Sequence, residues 1–277
     1  MPVLHAIVLG IVQGLSEFLP ISSSGHLILV PELFEWNELV NRPQLNKTFD
    51  VALHIGTLVA ALWYFRKDLG RYAAAGLRTI RTRQIRTTDE RLAWLLLLSA
   101  VPGAIVGAAL SSTIDKELGD PVLIGVMLVV FGVVLWFADR LAGSRPTESF
   151  GTRDAIVMGV AQALALQPGI SRSGVTMSVG RWLHFDRAAA ARLSFLMSIP
   201  IIGGAALYKA VDVLTGRGIP DDFVEPMIWG TIASGVSGFV AIAGLLRLIT
   251  TKSFAPFVVY RIVFGIGVIV IFATGLR

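Results

Sequence analysis

Leu92 to Ile114 is a run of 23 residues without a charge, and Pro226 to Leu246 is another of 21. Either can cross a hydrocarbon core roughly 30 Å thick as a single helix. Pro121 to Ala138 is slightly shorter and also sufficient. A backbone placed in lipid must satisfy its own hydrogen bonds, so runs of this length dictate helices. One such run is compatible with a buried soluble helix; several in one chain are not. Composition agrees. Of the 277 residues 54% are hydrophobic and 16% charged, with a mean hydropathy of +0.71. A soluble domain carries nearer a quarter charged residues.

Six full spans are expected, near 48–66, 92–113, 121–139, 187–209, 224–246 and 254–275. Two further apolar stretches, near 2–34 and 153–183, are broken by Pro, Gly and Ser. The segment between the first two spans carries Arg66, Lys67, Arg71, Arg78, Arg81, Arg83, Arg86 and Arg91 and reads as a solvated loop. The positive-inside rule makes this basic loop, 66–91, cytoplasmic. Alternation then places the acidic stretches around Asp115, Glu117 and Asp120, and around Asp212, Asp221 and Asp222, outside. The basic groups Arg140, Arg145 and Arg153, Arg181 to Arg192, and Arg247 with Lys252 fall inside. The net charge of +5 is thus an orientation signal, and nucleic acid is not the expected partner. With no cysteine, thiol and disulfide chemistry are excluded. The apolar start has no basic residue before Arg42, so it is expected to belong to the membrane domain rather than to a cleaved leader.

Shifting the sequence by 149 residues overlays its start on its middle. Ala6 to Leu15 lies over Ala155 to Leu164. In the same register, Ile21-Ser22-Ser23-Ser24-Gly25 lies over Ile170-Ser171-Arg172-Ser173-Gly174. Apolar similarity arises easily by chance; the polar match in unbroken register does not. The chain therefore reads as one membrane domain, 1–277, with repeats at about 1–140 and 150–277. Each repeat has one broken segment and three spans. Three is odd, so the second copy is inverted. The expected fold is an all-α integral membrane protein with six transmembrane helices, two re-entrant helical hairpins and an inverted-topology internal repeat. Such repeats place their sites near the midplane at interrupted helices, and hairpin tips must be buried in protein or line a wet cavity.

At the first tip, Gln13 and Glu17 are four residues apart and share a helix face. Pro20 ends that helix, and Ser22, Ser23 and Ser24 open the next. Helix amino termini offer free N–H groups and a positive dipole end, which suit phosphate. His26 lies one turn further on, and a serine near a histidine is the minimum for an activated nucleophile. At the second tip, Pro168 and Gly169 break the chain and Ser171-Arg172-Ser173 opens a helix, with Thr176 one turn in. A guanidinium at membrane depth needs a partner, and its fork fits two phosphate oxygens. The register sets Ser23 opposite Arg172, with room for a phosphate between. The plain alternatives are helix capping for the serines, a salt bridge between Glu17 and Arg172, and an inter-helix hydrogen bond for His26. Asp50 and His54 are one turn apart on the first span and can line the cavity. Arg261 in the last span reads as a snorkelling side chain; His5 and His184 read as interfacial.

The segments Gln13-Gly14-Leu15-Ser16-Glu17-Phe18-Leu19-Pro20-Ile21-Ser22-Ser23-Ser24-Gly25-His26 and Pro168-Gly169-Ile170-Ser171-Arg172-Ser173-Gly174-Val175-Thr176 resemble the two motifs of the bacterial undecaprenyl-diphosphate phosphatases, the BacA/UppP family. The resemblance runs the length of the chain. It implies hydrolysis of undecaprenyl diphosphate to undecaprenyl phosphate and inorganic phosphate, which recycles the lipid carrier of peptidoglycan synthesis and gives bacitracin resistance. It also implies a divalent cation (Mg²⁺ or Ca²⁺), a plasma-membrane location, a site reached from the outer face and a homodimer. On that basis Ser23, His26 and Glu17 are the expected catalytic residues, with Ser23 as nucleophile and His26 as its base or as acid to the leaving group. His26 or water as nucleophile stays open. Arg172, Ser22, Ser24, Ser171, Ser173, Gly169 and Thr176 are the expected substrate-binding residues. Glu17 and Gln13 are the candidate metal ligands, and Gln rather than Glu at position 13 weakens that role there. The acid-phosphatase-like lipid phosphatases are excluded. Ser24-Gly25-His26 mimics their second motif, but Ser23 stands where it has Pro, and Ser178 where their third has His. A transporter or flippase of polyprenyl phosphate or another anion is the competing reading, since inverted repeats with broken helices also build carriers.

Overall fold

The computed structural model describes residues 1–36, 38, 42–215 and 219–275; of residues 43, 110–117 and 208–215 only the backbone is described. The side chains of Asp115, Glu117 and Asp212, which carry part of the charge reading, lie outside the described residues. The described chain is helical and holds no β-strand, only one isolated bridge between Arg145 and Phe185.

The first broken segment is α1 (Val3–Phe18) and α2 (Ser23–Phe34), and the second is α7 (Thr152–Leu164) and α8 (Arg172–Trp182). At about 1.5 Å per residue, the longest of these, α1, spans only about 24 Å, so none can cross alone. The full spans are α3 (Pro43–Tyr64), α5 (Thr88–Glu117), α6 (Pro121–Asp139), α9 (Arg187–Thr215), α10 (Asp221–Leu248) and α11 (Ala255–Ala273). Five of these are long and apolar enough to span by themselves, and α3 makes a sixth when taken with the helix that follows it. The protein is an integral membrane protein with re-entrant elements.

One element departs from expectation. Residues 66–91 do not form only a solvated loop: Arg66–Thr82 is a helix, α4, bent 81° from α3. Its charges conceal a helical period. Tyr72, Ala75 and Thr79 are buried on one side, while Leu77 and Ile80 stay exposed on another. Arginines occupy the remainder, which gives the amphipathic pattern of a helix lying in a membrane interface. Arg192 of α9 ties it down through Asp68, at 2.5 Å.

The main helix pairings recur when the two halves are exchanged. Hairpin helix α1 packs on α10 of the other half, and α7 packs on α5. The first spans, α3 and α9, pack on each other, as do the last, α6 and α11. Glycines at matching positions allow the tightest of these approaches. A Cβ on Gly10 would lie 2.3 Å from the Gly230 carbonyl oxygen, and one on Gly159 would lie 2.5 Å from that of Ser99. Small residues at such crossings are what association in lipid requires, because burial there gains nothing from water. The two hairpin tips meet at the centre.

Candidate active site

Both tips are built alike. Phe18 ends α1, Ser22 caps α2 at φ 79°, and its Oγ accepts from the Gly25 N–H at 3.4 Å. Ser171 caps α8 at φ 72°, and its Oγ accepts from the Gly174 N–H at 3.1 Å. Positive φ is sparsely populated by non-glycine residues and costs on the order of 1–3 kcal/mol each. Contacts across the tips offset it. Ser22 Oγ also accepts from the Gly169 N–H at 3.0 Å, and Ser173 Oγ donates to the Leu19 carbonyl at 3.0 Å. Gly169 is itself at φ +94°, where a Cβ would come within 2.6 Å of the Ile124 carbonyl oxygen.

Arg261 clamps the joint. It is fully buried and does not snorkel, contrary to expectation. It donates to the carbonyls of Pro20 on one tip (3.1 Å) and of Gly169 and Ile170 on the other (2.8 and 3.0 Å). It also reaches the Leu128 and Met127 carbonyls of α6. Carbonyls freed where helices break need donors, and a guanidinium supplies five in one plane. Its full burial where the two tips meet α6 is why it serves the tips.

The chemistry gathers on Glu17, which is 5% exposed. Arg172 Nη2 donates to its Oε1 at 3.0 Å. Ser23 Oγ donates to its Oε2 at 2.6 Å, and Gln13 Nε2 donates to the same oxygen at 3.0 Å. His54 Nε2 lies 3.6 Å from that oxygen as well. The Arg172 guanidinium also donates to the Ser194 carbonyl at 3.2 Å. Thr176 pairs with Ser194 Oγ at 2.7 Å and donates to the Arg172 carbonyl at 2.7 Å, which fixes the turn that bears the arginine. Ser171 Oγ and Ser173 Oγ are 3.2 Å apart. Ser23 and Arg172 thus converge as the register requires, but on a carboxylate rather than directly on each other.

His26 is elsewhere. Its Nδ1 donates to the Ser22 carbonyl and its Nε2 accepts from the Tyr260 hydroxyl, each at 2.7 Å. Its ring stacks on Phe264 at 4.8 Å. Both ring nitrogens are spent away from Ser23, so the expected Ser23–His26 pair does not form, and Glu17 orients Ser23 rather than His26. Position four residues after the cap turned the imidazole under the helix, toward α11. The acceptor beside the hydroxyl is Glu17, six residues before it.

These groups open into a cavity of about 680 Å³. Its floor is polar: Glu17, Ser22, Ser23, Ser24, Ser171 and Arg172, with Asp50 and His54 from α3. Its walls are apolar, from Leu166, Ile201, Ile202 and Ala206. It reaches Gln44 and Lys47 at the end of α3 opposite α4. Gln13 Oε1 is buried with no partner, as is Oε1 of Gln162, its counterpart in the repeat.

A family model described as bacitracin resistance protein BacA matches residues 6–267. The chain belongs to the BacA family. Relatives named undecaprenyl-diphosphatase include those of Nocardioides sp., 45% identical over 98% of this chain and 97% of the relative. That of Pelobacter propionicus is 44% identical over 100% and 99%, and that of Gemmatimonas aurantiaca is 45% identical over 99% and 98%. Within this BacA-family protein, sequence reasoning had no means of finding Tyr260 or Ser194 as site neighbours. They lie 234 residues from His26 and 22 from Arg172 and carry no local signature. Arg261 did leave a signal, since an arginine inside a span demands partners.

Proposed function

We propose that this protein hydrolyses undecaprenyl diphosphate to undecaprenyl phosphate and inorganic phosphate, returning a lipid carrier to cell-wall synthesis and so conferring bacitracin resistance. The observation that carries the reading is the Ser23 hydroxyl donating at 2.6 Å to a Glu17 carboxylate that is held by Arg172. The names of the relatives point the same way. A carrier needs a cation for an anion but has no use for a hydroxyl paired with a buried base, so the transporter reading is not favoured.

The diphosphate enters the polar floor, and Arg172 and the free N–H groups at the starts of α2 and α8 bind its terminal phosphate. Arg172 then divides its donors between Glu17 and phosphate oxygens. Ser23 Oγ attacks the terminal phosphorus as its proton passes to Glu17. The bond from that phosphorus to the bridging oxygen breaks, its electrons stay on the oxygen, and undecaprenyl phosphate leaves. Glu17 gives the Ser23 proton up to the departing undecaprenyl phosphate. Water then attacks the phosphoserine and passes a proton to Glu17, which returns it to Ser23 Oγ as the bond from phosphorus to Oγ breaks, and inorganic phosphate departs with Ser23 restored. Stabilising charge on the transferring phosphoryl group is the main task, and a fixed guanidinium and fixed N–H dipoles perform it without reorganising. Ser22, Ser171, Ser173, Gly169 and Thr176 act by holding the tips in this geometry, while Ser24 lines the floor. His26 braces the first tip against α11.

A divalent cation fits the donor set. The Gln13 Oε1 atom is a buried orphan acceptor beside a carboxylate, and hard cations take oxygen ligands. Among the described residues no three acidic, His or Cys groups converge, so phosphate and water would supply most of the shell. Glu17 and Gln13 would hold the ion, which supplies charge neutralisation on the diphosphate. We further propose a bacterial plasma-membrane location with α4 cytoplasmic, entry of substrate from the outer face past Gln44 and Lys47, and a homodimeric state. The test is phosphate release from polyprenyl diphosphate in detergent, with Mg²⁺ and with EDTA, by wild type, Ser23→Ala and Arg172→Ala. Metal-dependent release lost in both variants supports the reading. No release by folded wild type sinks it.

A further inference from the structure

A second chamber lies beside the catalytic cavity, on the α4 side of the bundle. It is a groove of about 560 Å³, within the ordinary range for a small-molecule site. Leu62 of α3, Leu77 and Ile80 of α4, Leu97 of α5 and Ile199 and Pro200 of α9 form it. Its polar side chains are Tyr72 and Trp94, and the Trp94 indole already donates to Thr79 Oγ1 at 2.7 Å.

The two chambers share three helices. On α3, His54 lines the cavity and Leu62 the groove, eight residues or about 12 Å apart. On α5, Gly103 lines the cavity and Leu96 and Leu97 the groove. On α9 the handover is between neighbours, with Ile199 and Pro200 in the groove and Ile201 and Ile202 in the cavity. No residue lines both chambers, but on these three helices the groove lining begins one to eight residues from the cavity lining.

We propose that the groove is a tail subsite, which takes the distal isoprene units of the polyprenyl diphosphate whose head lies at the tips. The proposal rests on the phosphatase reading. A whole phospholipid would bring a polar headgroup for which this lining has no site. The far part of one long apolar chain needs none, and the chain is long enough to leave the cavity. The subsite makes chain length a determinant of specificity through burial of apolar surface.

Filling the groove from α4 tests this away from the catalytic groups. A Cβ on Gly76 would meet only Ala93 Cβ, at 3.6 Å, and a side chain in place of glycine favours the helix. Ala73 lines the same groove and is exposed. Gly76→Phe and Ala73→Trp are each assayed for kcat/KM on undecaprenyl (C55) and farnesyl (C15) diphosphates. The expected result is a fall of about tenfold on C55 with C15 unchanged, the effect of displacing as few as two buried methylene groups. An unchanged C55-to-C15 ratio in both variants overturns the tail subsite and leaves the phosphatase standing. Absence of release by wild type on either substrate overturns both.

Discussion

The two hairpin tips share a backbone and differ in chemistry. Ser22 and Ser171 hold matching positive φ and matching caps, and Gln13 and Gln162 leave the same oxygen without a partner. The positions that carry the proposed chemistry are among those that depart from each other. Glu17 stands where the second half has Leu166, Ser23 where it has Arg172, and His26 where it has Val175. In the proposed mechanism one tip brings base and nucleophile and the other brings the cation. In that mechanism the paired tips present a hydroxyl and a guanidinium to one phosphate, which neither tip does alone.

That division can be broken most severely at its reactive pair. Ser23→Ala should lower phosphate release by at least about 1000-fold, as removal of a nucleophile does elsewhere. Arg172→Ala should cost about 100- to 1000-fold in kcat, the range for a group that stabilises transition-state charge. A steady-state assay with both variants checks this, and near-wild-type rates in Ser23→Ala would transfer the nucleophile to water.

The scaffold itself is next. Gly169→Ala puts a Cβ at positive φ and against the Ile124 carbonyl, so a loss of at least about 2 kcal/mol is expected. Thermal unfolding in detergent measures it. Gly244→Ala is the control: it sits in helical backbone and a Cβ there meets nothing within 4 Å.

A finer test sets the paired glutamines against each other. Gln13→Ala removes a donor to Glu17 and should cut kcat about tenfold. Gln162→Ala loses a long bond to the Ser99 carbonyl, 3.4 Å, and should stay within about twofold. Equal losses would mean that the halves contribute more evenly than their side chains indicate. A similarly small effect on rate is expected at Tyr260→Phe, which removes the hydroxyl from His26 Nε2. Stability should fall by about 1 kcal/mol with kcat within about threefold. A collapse of kcat there would restore His26 to the chemistry.

Much of this is legible in the sequence. The spans at 92–113, 121–139 and 254–275 fall within a few residues of α5, α6 and α11, because a hydrocarbon slab fixes the length and apolarity of what crosses it. The caps at Ser22 and Ser171 were legible because capping is local chemistry between neighbours. Helix α4 was obscured by its own arginines, since a charge count outweighed a period that Leu69, Tyr72, Gly76 and Ile80 carry.

The sequence by itself determined a membrane-spanning helical chain with two broken, serine-capped hairpins and a buried arginine at one of them. Those features follow from solvent and from near neighbours. Only the tertiary structure decided that Glu17 rather than His26 receives the Ser23 hydroxyl, and that Arg261 clamps the tips rather than reaching for the interface. Each is a contact between helices far apart in the chain, or between side chains whose directions depend on how a hairpin is pressed against its neighbours. Spacing along the sequence gives distance along a helix; it does not say which way the hairpin is turned.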